Sequence, residues 1–251
     1  MPTITLFNPK GGSGKTTTAL ILATELAARG ASVAMLDGDP NPNLCRWAER
    51  RGIPSLDAGK DHADDTEEAL ELMGERFGDA RLVAVRCRDS VAVPDWLDAL
   101  SRKYAFVIAD PEGTANDWVN HAAAMSDLVI IPLRPGPMDA EQMLRAVKLV
   151  QAQSKALKRE IAFRLLFTCS GHIMTRDEKK IREHAQAKGY PIMQTALAER
   201  AAFRAMVAQQ RTLAELTSSG DDAVSGLDKA RANALTLVAE TVEAVGVRAA
   251  A

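Results

Sequence analysis

The sequence predicts an α/β fold, a mostly parallel twisted sheet with helices on both faces, from three observations. Short β-rich runs alternate with helical stretches, and the clearest strands, Phe106-Val-Ile-Ala and Leu128-Val-Ile-Ile, are continuously apolar. Apolar residues make up 47% of the chain against 25% charged, the balance of an ordinary packed domain. Strands covered by helices on both sides have no solvent face, so they lose the alternation of a half-exposed sheet. Alternating strands and helices then connect by right-handed crossovers.

In chain order, residues 3–7 form the first strand and 16–29 the helix after it. The pairs 32–36 and 44–51, 104–109 and 114–125, 128–133 and 138–154, and 162–168 and 176–188 repeat the unit. Between 53 and 93 the pattern is weaker: 65–77 is helical but acidic, and only 82–85 resembles a strand. A helix follows over 197–209. The last helix, about 223–245, places Leu227, Leu235, Val238 and Val242 near helical spacing and should pack back on the sheet. No repeat, low-complexity segment or linker interrupts the chain, so 1–251 is expected to be a single domain.

Composition excludes several classes. The first residues lack the order of a secretory leader, and the longest apolar run, 128–133, is far short of the ~18 residues a membrane span requires. A soluble, cytoplasmic protein is expected. Cys45, Cys87 and Cys169 are too far apart for a Cys-x-x-Cys site and read as small core residues. His62, His121, His172 and His184 have no zinc-ligand spacing. The net charge of -2 is uninformative, but its distribution is not. Residues 57–79 hold nine acidic and two basic side chains, whereas 145–211 hold fourteen basic and five acidic, a candidate footprint for a polyanion.

The chemistry is concentrated at the first strand–helix junction. Gly11-Gly12-Ser13-Gly14-Lys15-Thr16-Thr17 follows an apolar strand and opens a helix, the context of a phosphate-binding loop. Backbone N–H groups and the helix N-terminus favour phosphate, Lys15 reaches the β- and γ-phosphates, and the Thr16 hydroxyl binds Mg²⁺. ATP and Mg²⁺ are the expected cofactors. The strict pattern would put glycine at Pro9, and Lys10 adds a second lysine.

Asp37-Gly38-Asp39-Pro40-Asn41 ends the second strand at the carboxyl edge of the sheet, where α/β ligands bind; two carboxylates there suit magnesium and water handling. Residues 104–110 read as a Walker B strand whose terminal Asp110 holds Mg²⁺ opposite Thr16. Glu112 has two readings, a carboxylate near the γ-phosphate or a group beside the dipole of a helix capped by Thr114 with Asp117.

Lys10-Gly-Gly-Ser-Gly-Lys-Thr-Thr resembles the deviant Walker A box of the ParA/MinD superfamily of P-loop ATPases. The resemblance continues through Ser126-Asp-Leu-Val-Ile-Ile-Pro-Leu, Met138-Asp-Ala-Glu and Leu197-Ala-Glu-Arg200-Ala-Ala-Phe203. The Asp-x-Glu-Gly-Thr-Ala-Asn segment from Asp110 looks most like the plasmid-borne branch that includes VirC-type ATPases of DNA transfer. The resemblance implies that Lys10 reaches the partner's nucleotide across an ATP-dependent homodimer, that Asp39 orients or activates the attacking water, and that Asp37 supports the metal. Asn41 replaces the more usual Gln. It also implies non-specific DNA binding and a ParB-like or relaxosome-type protein that stimulates hydrolysis, with a nucleoid-associated or polar location when DNA-bound.

Two basic groups are candidates for the DNA contacts: Lys179, Lys180 and Arg182 on one helix, and Arg200, Arg204 and Arg211 on a shared face of another if it continues. Each reads equally as a solvated helix face or as a sequence-tolerant phosphate contact. The alternative functions are a MinD-like membrane-positioning ATPase and a metabolic P-loop enzyme. Glu240, Glu243 and the tail Arg248-Ala-Ala-Ala give little positive charge for an anionic lipid surface. An iron–sulfur reductase would need bridging cysteines within 111–137, which has none.

Overall fold

A computed structural model of the chain describes residues 1–61, 66–136, 139–171 and 173–246. His62, residue 65, Met138, His172 and the tail from 247, all drawn on above, lie outside the described residues. The strands are β1 (Thr3–Leu6), β2 (Val33–Asp37), β3 (Ser55–Asp57), β4 (Leu82–Arg86), β5 (Phe106–Asp110), β6 (Leu128–Leu133), β7 (Ala162–Ser170) and β8 (Leu197–Ala198). The helices are α1 (Lys15–Ala28), α2 (Asn43–Arg50), α3 (Ala58–Asp61), α4 (Thr66–Phe77), α5 (Val93–Lys103), α6 (Asp117–Met125), α7 (Asp139–Leu157), α8 (Arg176–Ala187), α9 (Ala201–Ala208) and α10 (Leu227–Ala244).

The strands form one sheet in the order β3-β4-β2-β5-β1-β6-β7-β8, and every ladder is parallel. The strand order reverses at β1. Connections leave β1 towards β2 on one side, and after β5 the chain crosses to β6 on the other, so the crevice at the carboxyl ends of β1 and its neighbours is the topological switch point.

Alternate residues of the central strands serve opposite layers. Val33, Met35, Phe106 and Ile108 pack with α1, α2, α9 and α10, whereas Ala34, Leu36, Val107 and Ala109 pack with α4, α5 and α6. Val129, Ile131, Leu165 and Phe167 complete the second layer with α7 and α8. The continuous apolar strands are thus buried on both faces, as such runs require.

Three parts of the architecture differ from the sequence expectation. Helix α5 had no counterpart, although Val93, Trp96, Leu97 and Leu100 recur at helical spacing and Pro94 stands in the first turn, where its missing N–H costs nothing. The expected helix over 197–209 divides: Leu197–Ala198 pairs beside β7 as β8, Arg200 adopts extended backbone, and α9 begins only at Ala201. Residues 55–57 add the edge strand β3, too short to show a period.

Helix α10 does more than pack. Asn233 Oδ1 accepts Ala198 N–H at 3.0 Å and its amide donates to Ala196 O at 2.9 Å, while Glu240 accepts Gln194 N–H at 2.6 Å and Thr195 N–H at 2.9 Å. These side chains satisfy backbone groups of the outermost segment of the sheet, which would otherwise be an open edge. Asn233→Ala should therefore cost about 1–3 kcal/mol, the penalty for stranding partly buried backbone groups, read as a lower urea midpoint with an unchanged slope.

Candidate functional site

The phosphate loop is pinned to two neighbouring strands. Asn8, fully buried where β1 ends, donates its amide to Pro132 O at 2.7 Å and accepts Lys10 N–H at 2.9 Å. Thr168 of β7 donates its hydroxyl to Ser13 O at 2.7 Å. Gly14 caps α1 at φ 95, a left-handed conformation that L side chains rarely adopt. A Cβ there would also come within 3.3 Å of Thr168. Neither Asn8 nor Thr168 carries a motif signal, and the sequence expectation includes neither.

Lys15 opens α1 and donates to Asn8 O at 3.2 Å and Lys10 O at 3.3 Å. Burial is the largest influence on it and lowers its pKa; the carboxylates of Asp110, Asp39 and Glu112 act in the opposite sense. Gly113 presses against it, since a Cβ there would lie 3.1 Å from Lys15 Nζ. The cap of α6 is Asn116, whose side chain accepts Val119 N–H at 3.0 Å, and not the Thr114 expected from the sequence. Glu112 therefore stands five residues before the helix, and its charge acts on Lys15 instead.

Asp37 and Asp110 are direct neighbours in the β2–β5 ladder, and both are buried. Burial pushes the Asp37 carboxyl up to about 6, against the pull of backbone N–H groups. Its Oδ1 accepts Asp39 N–H at 3.1 Å and its Oδ2 accepts Cys45 N–H at 2.9 Å, so Asp37 braces both its own turn and the start of α2. Burial likewise pushes Asp110 up to about 7, opposed by a hydrogen bond from Thr16 and the charge of Lys15, and reinforced by Asp37 and Asp39. Asp39 is half-buried, and its Oδ1 accepts Asn41 N–H at 2.8 Å. Asn41 Oδ1 in turn accepts from Arg46.

The residues fit a hydrated divalent cation beside a phosphate. Among the described residues, Asp110 Oδ1 and Ser13 Oγ are buried without a hydrogen-bond partner, and the Asp110 carboxyl also meets the Thr16 hydroxyl. A buried acceptor left open beside an ammonium and a helix N-terminus is the polarity that a magnesium phosphate group satisfies. Next to the loop, Thr17, Thr18, Cys169, Leu197, Phe203 and Val207 help line a cleft of about 500 Å³, large enough for a nucleoside. Cys169 belongs to this lining at φ 51, only partly buried, and not to the core as its sequence suggested; Cys45 and Cys87 are buried.

Lys10 is held within its own chain. Its Nζ lies 2.8 Å from Asp139 Oδ2 at the start of α7, a carboxylate whose side chain is 1% exposed. In the sequence Asp139 stands within a stretch that carries the family resemblance, and nothing in its spacing hints at the pairing. Only the carboxylate side of the pair is buried, because the Lys10 side chain is 38% exposed, so the pair directs Lys10 towards α7 while leaving its ammonium in contact with solvent.

The expected polyanion contacts are less uniform than their spacing implied. On α8, Arg182 folds over the Phe167 ring at 3.9 Å and binds Glu178 at 2.8 Å, and Lys179 lies 3.8 Å from Glu183, while Lys180 is exposed. Arg204 alone of the second group lies on α9, 3.1 Å from Glu199. Arg200 precedes the helix, Arg211 follows its end 3.9 Å from Asp222, and both Arg200 and Arg204 line the cleft beside the phosphate loop. The shared helical face does not form, because the helix is shorter than its apolar pattern.

The buried carboxyls make stability depend on pH. Native Asp110 keeps its proton to about pH 7, whereas the unfolded chain releases it near 3.8, so the nucleotide-free protein loses stability as pH rises between those values. Asp37 adds to the same slope up to about 6. Asp110→Asn should match the wild type near pH 4 and exceed it at pH 8, as denaturant titrations across that range would measure.

Comparison with known proteins agrees with this geometry. The model of the CobQ/CobB/MinD/ParA nucleotide binding domain matches residues 4–213. A protein ParA of Rhizobium radiobacter is 30% identical over 246 residues, covering 98% of this chain and all of that protein. A protein virC1 of Rhizobium rhizogenes is 25% identical over 221 residues, 86% of this chain and 84% of the other. Among solved structures, Cyanothece McdA superposes with a TM-score of 0.73 in its apo form, at 16% identity over 96% of this chain and 99% of that one. The strand order, the loop at the switch point and these matches agree: the chain belongs to the CobQ/CobB/MinD/ParA family of nucleotide-binding domains.

Proposed function

We propose that residues 1–251 act as a single Mg²⁺-dependent ATPase domain that closes into a homodimer with ATP, binds DNA without reading its sequence, and serves plasmid or chromosome partition or conjugative DNA transfer. A ParB-like or relaxosome-type protein stimulates its hydrolysis. The observation that carries this reading is the convergence on Lys15 of Asp110, Asp39 and Glu112 at one edge of the sheet, beside a second lysine held ready at Asp139. The likeness to proteins named ParA and virC1 supports the cellular role.

In this reading Gly11, Gly12, Ser13, Gly14 and Thr17 cradle the phosphates with their backbone N–H groups, and Lys15 neutralises them. Thr16 and Asp110 hold the Mg²⁺, which supplies charge neutralisation at the phosphates; Asp37 supports them through its charge and its grip on the turn. Asp39 orients the attacking water. Lys10 leaves Asp139 when the partner's nucleotide offers it a stronger anion, so the closed dimer competes with an internal ion pair.

Lys179, Lys180, Arg182, Arg200, Arg204 and Arg211 are the candidate phosphate contacts. Each is weak alone, and pairing two chains links them into a useful affinity that falls with salt. No specific observation favours the membrane-positioning alternative. Among the described residues no helix is long and apolar enough to cross a membrane, and Glu240 of α10 is occupied within the fold. A cytoplasmic location, nucleoid-associated or polar on DNA, follows from the proposed partners.

ATP with Mg²⁺ should shift the wild type from monomer to dimer in light scattering, and Asp39→Ala should accumulate that dimer. Lys10→Ala in an Asp139→Asn background, where no buried carboxylate is left unpaired, should bind nucleotide yet fail to dimerise or hydrolyse. A monomer under every condition would sink the dimer reading. Unchanged DNA mobility in retardation assays at two salt concentrations would remove the DNA role.

A further inference from the structure

The turn that carries Asp39 is closed by an aromatic ring from the opposite layer of the fold. A Cβ at Gly38 would lie 2.3 Å from Trp118 Cε2, 2.5 Å from Cζ2 and 2.8 Å from Cδ2, so the indole rests on the glycine with no room for a methyl group. Gly38 is absent from the residues with positive φ. Glycine is needed here for space and not for its backbone freedom.

Trp118 is 3% exposed in the first turn of α6, and its indole N–H donates to Cys87 O at 2.7 Å. Cys87 N–H donates to Asp37 O at 3.0 Å, Gly38 N–H to Asp110 O at 3.1 Å, and Asp39 N–H to Asp37 Oδ1 at 3.1 Å. The circuit joins the ends of β4, β2 and β5 to α6 and returns to the turn through the indole face. The Asp37 carboxyl, the Asp110 backbone carbonyl and the Asp39 N–H are attached to it.

We propose that Trp118 is a positioning residue for Asp39. The ring leaves the backbone at Gly38 no room to move towards Trp118, and the next residue, Asp39, is the one whose charge acts on Lys15 and Asp110. Asp39 has few other restraints: it is half-buried, and its carboxylate contacts the backbone of its own loop through Asn41 N–H. Its placement is therefore set by the backbone of the turn, which the hydrogen bonds to Asp37 and Asp110 hold together with the indole packed on Gly38. A small displacement of a group that orients a nucleophile slows the chemical step while leaving nucleotide binding, which belongs to the phosphate loop, intact.

This role rests on the reading of Asp39 as the water-orienting residue, and the test separates the two. Single-turnover ATP hydrolysis, ADP affinity and thermal melting are measured for the wild type, Trp118→Phe, Trp118→Leu, Asp39→Ala and the Trp118→Leu/Asp39→Ala double variant. Trp118→Leu should slow hydrolysis about tenfold or more, with ADP affinity within about twofold of wild type. Trp118→Phe, which keeps a ring without the N–H donor, should fall between. On the Asp39→Ala background Trp118→Leu should cause no further loss, because the group it positions is gone.

Wild-type hydrolysis by both Trp118 variants overturns the proposal. So does an equal slowing by Trp118→Leu with and without Asp39, which marks a merely structural effect. Should Trp118→Leu fail to fold, the rate of Trp118→Phe decides alone. If Asp39→Ala hydrolyses ATP normally, the role of Asp39 falls, and that of Trp118 with it.

Discussion

Two aspartates buried side by side at the ends of adjacent strands set the terms for everything around them. Asp37 and Asp110 face one another in the β2–β5 ladder, and desolvation raises both carboxyls. Like charges cannot both ionise cheaply in such a place, so each needs a donor or a cation. Asp37 is satisfied by backbone N–H groups of its turn and of α2, which makes it part of the framework. Among the described residues nothing bonds Asp110 Oδ1, which stands near Lys15 and Thr16 and makes Asp110 a candidate for the site. The same burial lowers the pKa of Lys15, so this edge of the sheet holds groups of both signs against the cost of desolvation.

The loop that meets this edge is held by side chains from distant parts of the chain. Asn8 ties it to β6 and Thr168 ties it to β7, each across more than a hundred residues. Asp139 holds Lys10 from the start of α7, and the Trp118 indole fixes Gly38 from α6. The site is thus a junction of both helical layers and not a property of the glycine-rich segment alone. Within that junction Lys10, part-exposed, is paired with the buried Asp139.

Much of this was legible in the chain. The parallel sheet followed from apolar runs such as 128–133, and the phosphate loop from glycines and Lys15 placed between a strand and a helix. Asp110 and the Asp37–Asp39 pair were visible because strand ends at the carboxyl edge are where a parallel sheet presents polar groups. Helix α5 was missed although its apolar residues recur at helical spacing, and the split between β8 and α9 was not visible, since short apolar segments suit either element and tertiary pairing decides between them.

The sequence by itself determined the fold class and singled out the candidate phosphate residues, because both are written in local spacing: periods of apolar residues and a loop of fixed length. Only the tertiary structure decided what holds those residues. The Lys10–Asp139 pair, the open oxygen of Asp110, the division of the second arginine group and the indole on Gly38 join residues far apart in the chain. Contacts of that kind leave no period or motif, and burial, which sets the protonation of Asp37 and Asp110, exists only once the layers have closed over them.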